Sequence, residues 1–128
     1  MDEPEPTHAA KTVMVVEDNA LNLKLFCDLL RAHGHRAEPV NDGSEVIARA
    51  HMVMPDMIVM DIQMPHGRGL ALIEAIKADP ALEAIPVMAV TAYAASGDED
   101  RIRRAGADAC VSKPVRVARF MEVVSALL

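Results

Sequence analysis

Aromatic residues are nearly absent from this 128-residue chain: there is no Trp, and Phe26, Tyr93 and Phe120 are the whole set. The core must therefore be built from aliphatic side chains and from the nine methionines, whose flexible thioethers fill irregular gaps. Cysteine is equally scarce. Cys27 and Cys110 lie far apart with no secretion signal ahead of them, so both are expected to be reduced, intracellular thiols. No apolar run is long enough to cross a bilayer. The first residues carry Asp2, Glu3 and Glu5 with Pro4 and Pro6, and lack the basic and apolar regions of a leader. Residues 1–11 read as a flexible acidic tail and 12–128 as one domain. These two absences place the protein in the cytoplasm with no membrane partner. Excess positive charge is also missing. The net charge of -6 argues against a coat for nucleic acid, so no nucleic-acid partner is expected. There is no G-x-x-x-x-G-K-[ST] loop for a nucleotide. The five histidines, His8, His33, His35, His51 and His66, lack the spacing of zinc ligands.

What the chain does contain is a regular alternation. Val13-Met14-Val15-Val16 is a continuous apolar run, as a strand buried on both faces requires. A helical segment follows, with Leu21, Leu25 and Leu29 on one stripe and Lys24, Asp28 and Arg31 on another, and Gly34 stops it. Arg36 to Val40 is a weaker strand, expected at an edge. Asp42-Gly43-Ser44-Glu45 resembles a capping box for a helix that should bury Val46, Ile47 and Ala50. Met57 to Met60 is a second buried strand ending on Asp61. Pro65 and Gly69 bracket a loop; Leu70, Ile73 and Ile76 mark a helix that Asp79-Pro80 ends. Pro86 to Val90 leads to Thr91. A poorly specified helix from about Ala94 to Ala105 contains Gly97, offers only Ile102 as a large apolar residue, and closes at Gly106. Asp108 to Ser112 is the fifth strand, and a final helix presents Val117, Phe120, Val124 and Leu127 by threes and fours. Five strand-helix repeats predict an α/β fold with a doubly wound five-stranded parallel sheet of flavodoxin-like order 2-1-3-4-5, covered by five helices. No second or output domain is expected after the last helix.

In such sheets function gathers at the carboxyl ends of the strands, where the strand order reverses. Glu17 and Asp18 follow strand 1, Asp61 ends strand 3, Thr91 ends strand 4 and Lys113 follows strand 5. Converging carboxylates repel one another, and a hard cation such as Mg²⁺ relieves that repulsion. A lysine and a hydroxyl beside the metal add what phosphoryl transfer needs, a cation and a donor for the equatorial oxygens, and a carboxylate can serve as nucleophile. A phosphatase that uses an aspartate nucleophile on a related sheet needs a second acid two residues further on. That position here is Gln63, which counts against the phosphatase reading.

The segments Val15-Val16-Glu17-Asp18-Asn19, Asp61-Ile62-Gln63-Met64-Pro65-His66-Gly67-Arg68-Gly69, Val90-Thr91-Ala92 and Ser112-Lys113-Pro114 together resemble the receiver domains of two-component response regulators. The resemblance runs from about Thr12 to Leu127. It implies that Asp61 is the phosphoacceptor and that Mg²⁺ is held by Asp18, Asp61 and the backbone carbonyl of Gln63, with Glu17 acting through a water. It further implies that Lys113 and Thr91 contact the phosphoryl oxygens and that the Lys113-Pro114 bond is cis. The implied partners are a histidine kinase or histidine phosphotransferase upstream and a kinase, phosphatase or phosphorelay protein downstream, for a monomer or at most a weak dimer. Many receivers carry Tyr or Phe three residues before the lysine; here Cys110 stands there, reading as a small hydrophobe, and Tyr93 is the candidate to replace the aromatic. Arg101, Arg103, Arg104, Arg116 and Arg119 gather near the last two helices. The face around Arg101 and Arg104 reads either as solvated charge or as a docking surface for an acidic partner. The alternative for the whole chain is a receiver-like scaffold that works without phosphorylation.

Overall fold

The computed structural model describes residues 10–64, 68–92 and 96–128. In chain order the elements are β1 (Thr12–Val16), α1 (Ala20–Ala32), β2 (Arg36–Val40), α2 (Val46–Val53), β3 (Met57–Asp61), α3 (Arg68–Ala78), β4 (Val87–Thr91), α4 (Ser96–Ala105), β5 (Ala109–Ser112) and α5 (Val117–Leu127). All strand pairs are parallel and the order is β2-β1-β3-β4-β5, as the alternation predicts. β3 and β4 are buried along their whole length, which is why they read as unbroken apolar runs. β2 is an edge strand, the other being β5, and it alone among the strands carries a proline, Pro39.

Successive strand residues point to opposite faces and so divide the core in two. Met14, Val16, Ile58, Met60, Val87 and Ala89 pack under α2, α3 and α4. Val13, Val15, Met57, Val59, Met88 and Val90 pack under α1 and α5. On that second face Phe26 and Phe120 stack, with ring centroids 4.9 Å apart and planes 11° from parallel. Two of the three aromatics are thus used on each other.

Five local expectations are corrected. The Leu21–Leu25–Leu29 stripe is not the buried side of α1. Phe26, Cys27 and Leu30 are buried, while Leu21 and Leu25 are 76% and 47% exposed. In α5 the inward residues are Phe120, Met121, Val123 and Val124, and Val117 is 49% exposed. The capping box does not close: Asp42 caps a single 3-10 turn, Gly43–Glu45, by accepting from the Ser44 N–H, and Glu45 reaches forward to Arg49 at 3.4 Å. Ile47 is only partly buried. Gly69 lies inside α3 rather than in a loop. By contrast Gly34, at φ +88, ends α1 as expected, because only glycine enters that region freely. α4 is as weakly anchored as its sequence suggests, with Ile102 and Ala105 its buried apolar residues. His66, Tyr93, Ala94 and residues 1–9 of the acidic tail lie outside the described residues.

Candidate phosphoacceptor and metal site

The parallel register carries the ends of β1, β3, β4 and β5 to one edge of the sheet. Glu17, Asp61 and Thr91 are the buried polar residues among those described, at 1%, 2% and 2% exposure. Asn19 caps α1 through the Asn22 N–H, and its own N–H donates to Glu17 Oε2 at 3.1 Å, which turns Glu17 inward and leaves Asp18 on the exposed side. Asp61 is the last residue of β3. Its Oδ1 accepts from the Gln63 N–H at 3.0 Å, closing the turn that leaves the strand, and from Lys113 Nζ at 3.3 Å. Lys113 Nζ is also 4.0 Å from Glu17 Oε1. The Lys113-Pro114 bond is cis, as the resemblance implied.

Close packing sets this geometry. Gly69, in the first turn of α3, rests against the backbone of Asp61 and Ile62. A Cβ there would stand 2.6 Å from Ile62 Cα and 2.7 Å from the Asp61 carbonyl oxygen. α3 therefore braces the strand end that carries the carboxylate.

Glu17, Asp18 and Asp61 can each offer an oxygen with all three within 4.8 Å of one another, the one group of this kind among the described residues. Burial, then the neighbouring Asp61 carboxylate, pushes Glu17 up to about 7; the Asn19 N–H and Lys113 oppose this. Glu17 Oε1 is buried with no hydrogen-bond partner. An orphaned buried oxygen in a cluster of carboxylates fits a hard divalent cation, which prefers such oxygens and keeps several waters.

The other singled-out residues are placed as follows. Cys110 is half-buried against the α2–α4 side of the core, and burial pushes its thiol up, so it packs as a small hydrophobe and is a poor nucleophile. Arg101 is exposed and 3.6 Å from Asp98 in its own helix, whereas Arg104 forms no ion pair with a described residue. Arg103 and Arg119 pair with Glu99 and Glu122. The side chain of Gln63 was not foreseen. Its Nε2 donates to Thr91 Oγ1 at 3.2 Å and its Oε1 accepts from the Ala92 N–H at 2.7 Å. Nothing in local spacing signals a contact across 28 residues. The role of Gly69 was also missed, although a glycine just before a helical apolar stripe is a signal of close packing.

Residues 13–125 match the family described as response regulator receiver domain. The chain is 48% identical over 118 residues to the polar-differentiation response regulator DivK of Brucella anthropi, covering 92% of this chain and 96% of that one. It is similar to the receiver domain of the sensor histidine kinase PA1611 from Pseudomonas aeruginosa PAO1, a structure with a magnesium ion coordinated in its active-site cleft. That likeness has a TM-score of 0.84 and 28% identity over 93% of this chain and 98% of that one. The fold also matches the chemotaxis response regulator CheY4 of Vibrio cholerae, with a TM-score of 0.87 at 21% identity, covering 94% of this chain and all of that one. The match across nearly the whole chain, together with the carboxylates, hydroxyl and lysine brought to one edge of the sheet, shows that this chain belongs to the response-regulator receiver family.

Proposed function

We propose that this chain works as a single-domain response regulator of the cytoplasm. It accepts a phosphoryl group on Asp61 from the phosphohistidine of a kinase or a histidine phosphotransferase, in a reaction that needs Mg²⁺. The observation that carries this reading is the buried Asp61 carboxylate, 2% exposed with Lys113 Nζ at 3.3 Å and two further carboxylates beside it. An Asp61 oxygen attacks phosphorus and the imidazole nitrogen leaves. Lys113 balances charge on the transferring oxygens, and the Thr91 hydroxyl offers them a hydrogen bond. Asp18, Asp61 and the Gln63 carbonyl would hold the metal, with Glu17 acting through a water. When bound, the ion neutralises the carboxylates and the incoming phosphoryl oxygens.

The surroundings suit both partners. α1 begins just after Asn19 and α5 just after Lys113-Pro114 and Arg116, and there Leu21, Leu25 and Val117 leave apolar surface in solvent. That surface suits the apolar face of a helix that presents a histidine. On the other side of the sheet α4 is lightly anchored, which suits an element that must move, and it carries Arg101 and Arg104. An acidic downstream protein, whether kinase, phosphatase or phosphorelay component, fits that face. Replacing both arginines with Glu is expected to weaken partner binding about tenfold or more in a titration with the phosphorylated protein; an unchanged affinity would mark them as solvated charge.

The test is intact mass after incubation with Mg²⁺ and acetyl phosphate. The expected result is one labile phosphoryl group, and no gain when EDTA replaces Mg²⁺. No gain from acetyl phosphate or from a phosphorylated histidine phosphotransferase would favour a scaffold that works without phosphorylation.

A further inference from the structure

Gln63 touches both ends of the switch that the proposed function requires. Its backbone N–H donates to Asp61 Oδ1 at 3.0 Å. Its side chain spans to the end of β4, where it meets Thr91 Oγ1 at 3.2 Å and the Ala92 N–H at 2.7 Å. The orientation of the carboxamide follows from its partners. A backbone N–H only donates, so the atom facing Ala92 must be the oxygen, and the nitrogen then faces Thr91. Ala92 is the residue at which the chain leaves the sheet: the β4–β5 pairing ends at Thr91 opposite Ser112. The carboxamide therefore fixes the direction in which the chain departs toward α4.

Phosphorylation would disturb this arrangement at its root. Asp61 Oδ1 accepts from both Gln63 and Lys113. Conversion of the Asp61 carboxylate to an acyl phosphate removes its charge and weakens it as an acceptor, while new anionic oxygens draw Lys113 and the Thr91 hydroxyl toward phosphorus. Thr91 and Ala92 are then pulled from the carboxamide that holds them.

We propose that the Gln63 side chain is a positioning residue that clasps the Thr91–Ala92 exit of β4 to the Asp61 turn and so holds the resting conformation. This rests on the reading of Asp61 as phosphoacceptor. The clasp opposes the phosphorylated state, so breaking it eases the switch without any change at Asp61, Lys113 or the Gln63 carbonyl.

The experiment compares wild type, Gln63→Met and Gln63→Glu. Methionine matches the length of glutamine and forms no comparable hydrogen bond, whereas glutamate keeps an acceptor for the Ala92 N–H. In the unphosphorylated protein, hydrogen-exchange protection at Ala92 should fall about fivefold or more in Gln63→Met, the worth of one hydrogen bond, and return in Gln63→Glu. Beryllium trifluoride with Mg²⁺, a mimic of the phosphoryl group, should bind Gln63→Met about fivefold more tightly than wild type, since the resting state has lost that same bond. Unchanged protection at Ala92 would overturn the clasp. Lost protection with mimic affinity unchanged or reduced would reduce Gln63 to a static brace and overturn its switch role. A wild type that does not bind the mimic at all would instead overturn the phosphoacceptor reading, and the switch role with it.

Discussion

An Asp61→Asn variant is expected to gain no phosphoryl group under conditions that load the wild type, and to be the more stable protein above pH 7 when metal is removed. Both effects have one cause. The carboxamide is no nucleophile, and neither neighbour replaces it: Glu17 Oε2 is engaged by the Asn19 N–H, and Asp18 lies on the exposed side. Yet the same change removes a negative charge from beside a buried one. Glu17 sits at about 7 instead of its ordinary 4.5, first through burial and then through Asp61. The native state therefore holds a proton that the unfolded chain has released between about pH 4.5 and 7, and metal-free stability falls as pH rises through that window. Asparagine removes the part of the shift due to Asp61 and still accepts from the Gln63 N–H. The gain at pH 8 should be about 1–2 kcal/mol, and near zero at pH 4.5. Urea unfolding in EDTA at the two pH values measures it, and a variant less stable than wild type at pH 8 would show that the Lys113 contact outweighs the repulsion. The site is thus built at some expense to the fold.

The second large effect concerns a residue with no chemistry of its own. Gly69→Ala places a methyl group 2.6 Å from Ile62 Cα, 2.7 Å from the Asp61 carbonyl oxygen and 2.9 Å from that of Ile62. All three are backbone atoms, so the clash is relieved only by moving α3 or the end of β3. The expected destabilisation is about 3 kcal/mol, at the upper end for overpacking. Phosphoryl uptake should slow tenfold or more in whatever remains folded, because the displaced peptide carries Asp61. Gly43→Ala is the control. There the added carbon meets only side-chain atoms, Leu72 Cδ1 at 3.3 Å and Arg68 Cδ at 3.4 Å, which can shift. If the two variants had equal urea midpoints, the bracing role of Gly69 would be refuted.

The contrast between these two glycines shows where the sequence was legible. Strands buried on both faces announce themselves, because Val13–Val16, Met57–Met60 and Val87–Val90 admit no polar residue, and a polar residue at the end of such a run marks the edge of the sheet. Glu17, Asp61, Thr91 and Lys113 could therefore be assembled from order alone. The inward side of α1 could not. Leu21 and Leu29 lie one turn either side of Leu25, and Leu23 and Leu30 one turn either side of Phe26, so a period of 3.6 does not say which stripe meets the sheet. Phe26 wins because Phe120 lies opposite it, a contact between the first helix and the last. Val117 belongs to the same problem at the start of α5. The side-chain contacts of Gln63 were not legible, since the reach of a carboxamide to another strand is a property of the assembled edge.

The division of the core by the sheet has a consequence for how such a protein can diverge. Side chains on alternate strand positions never share a compartment: Met14 and Val16 lie with α2–α4, Val13 and Val15 with α1 and α5. Substitutions on opposite faces should be nearly additive, within about 0.5 kcal/mol, because they have no packing neighbours in common. The surface proposed to meet the donor and the surface proposed to meet the downstream protein can then drift under separate selection, each repacking its own half of the interior, while the carboxylate edge stays the one place where both histories must agree.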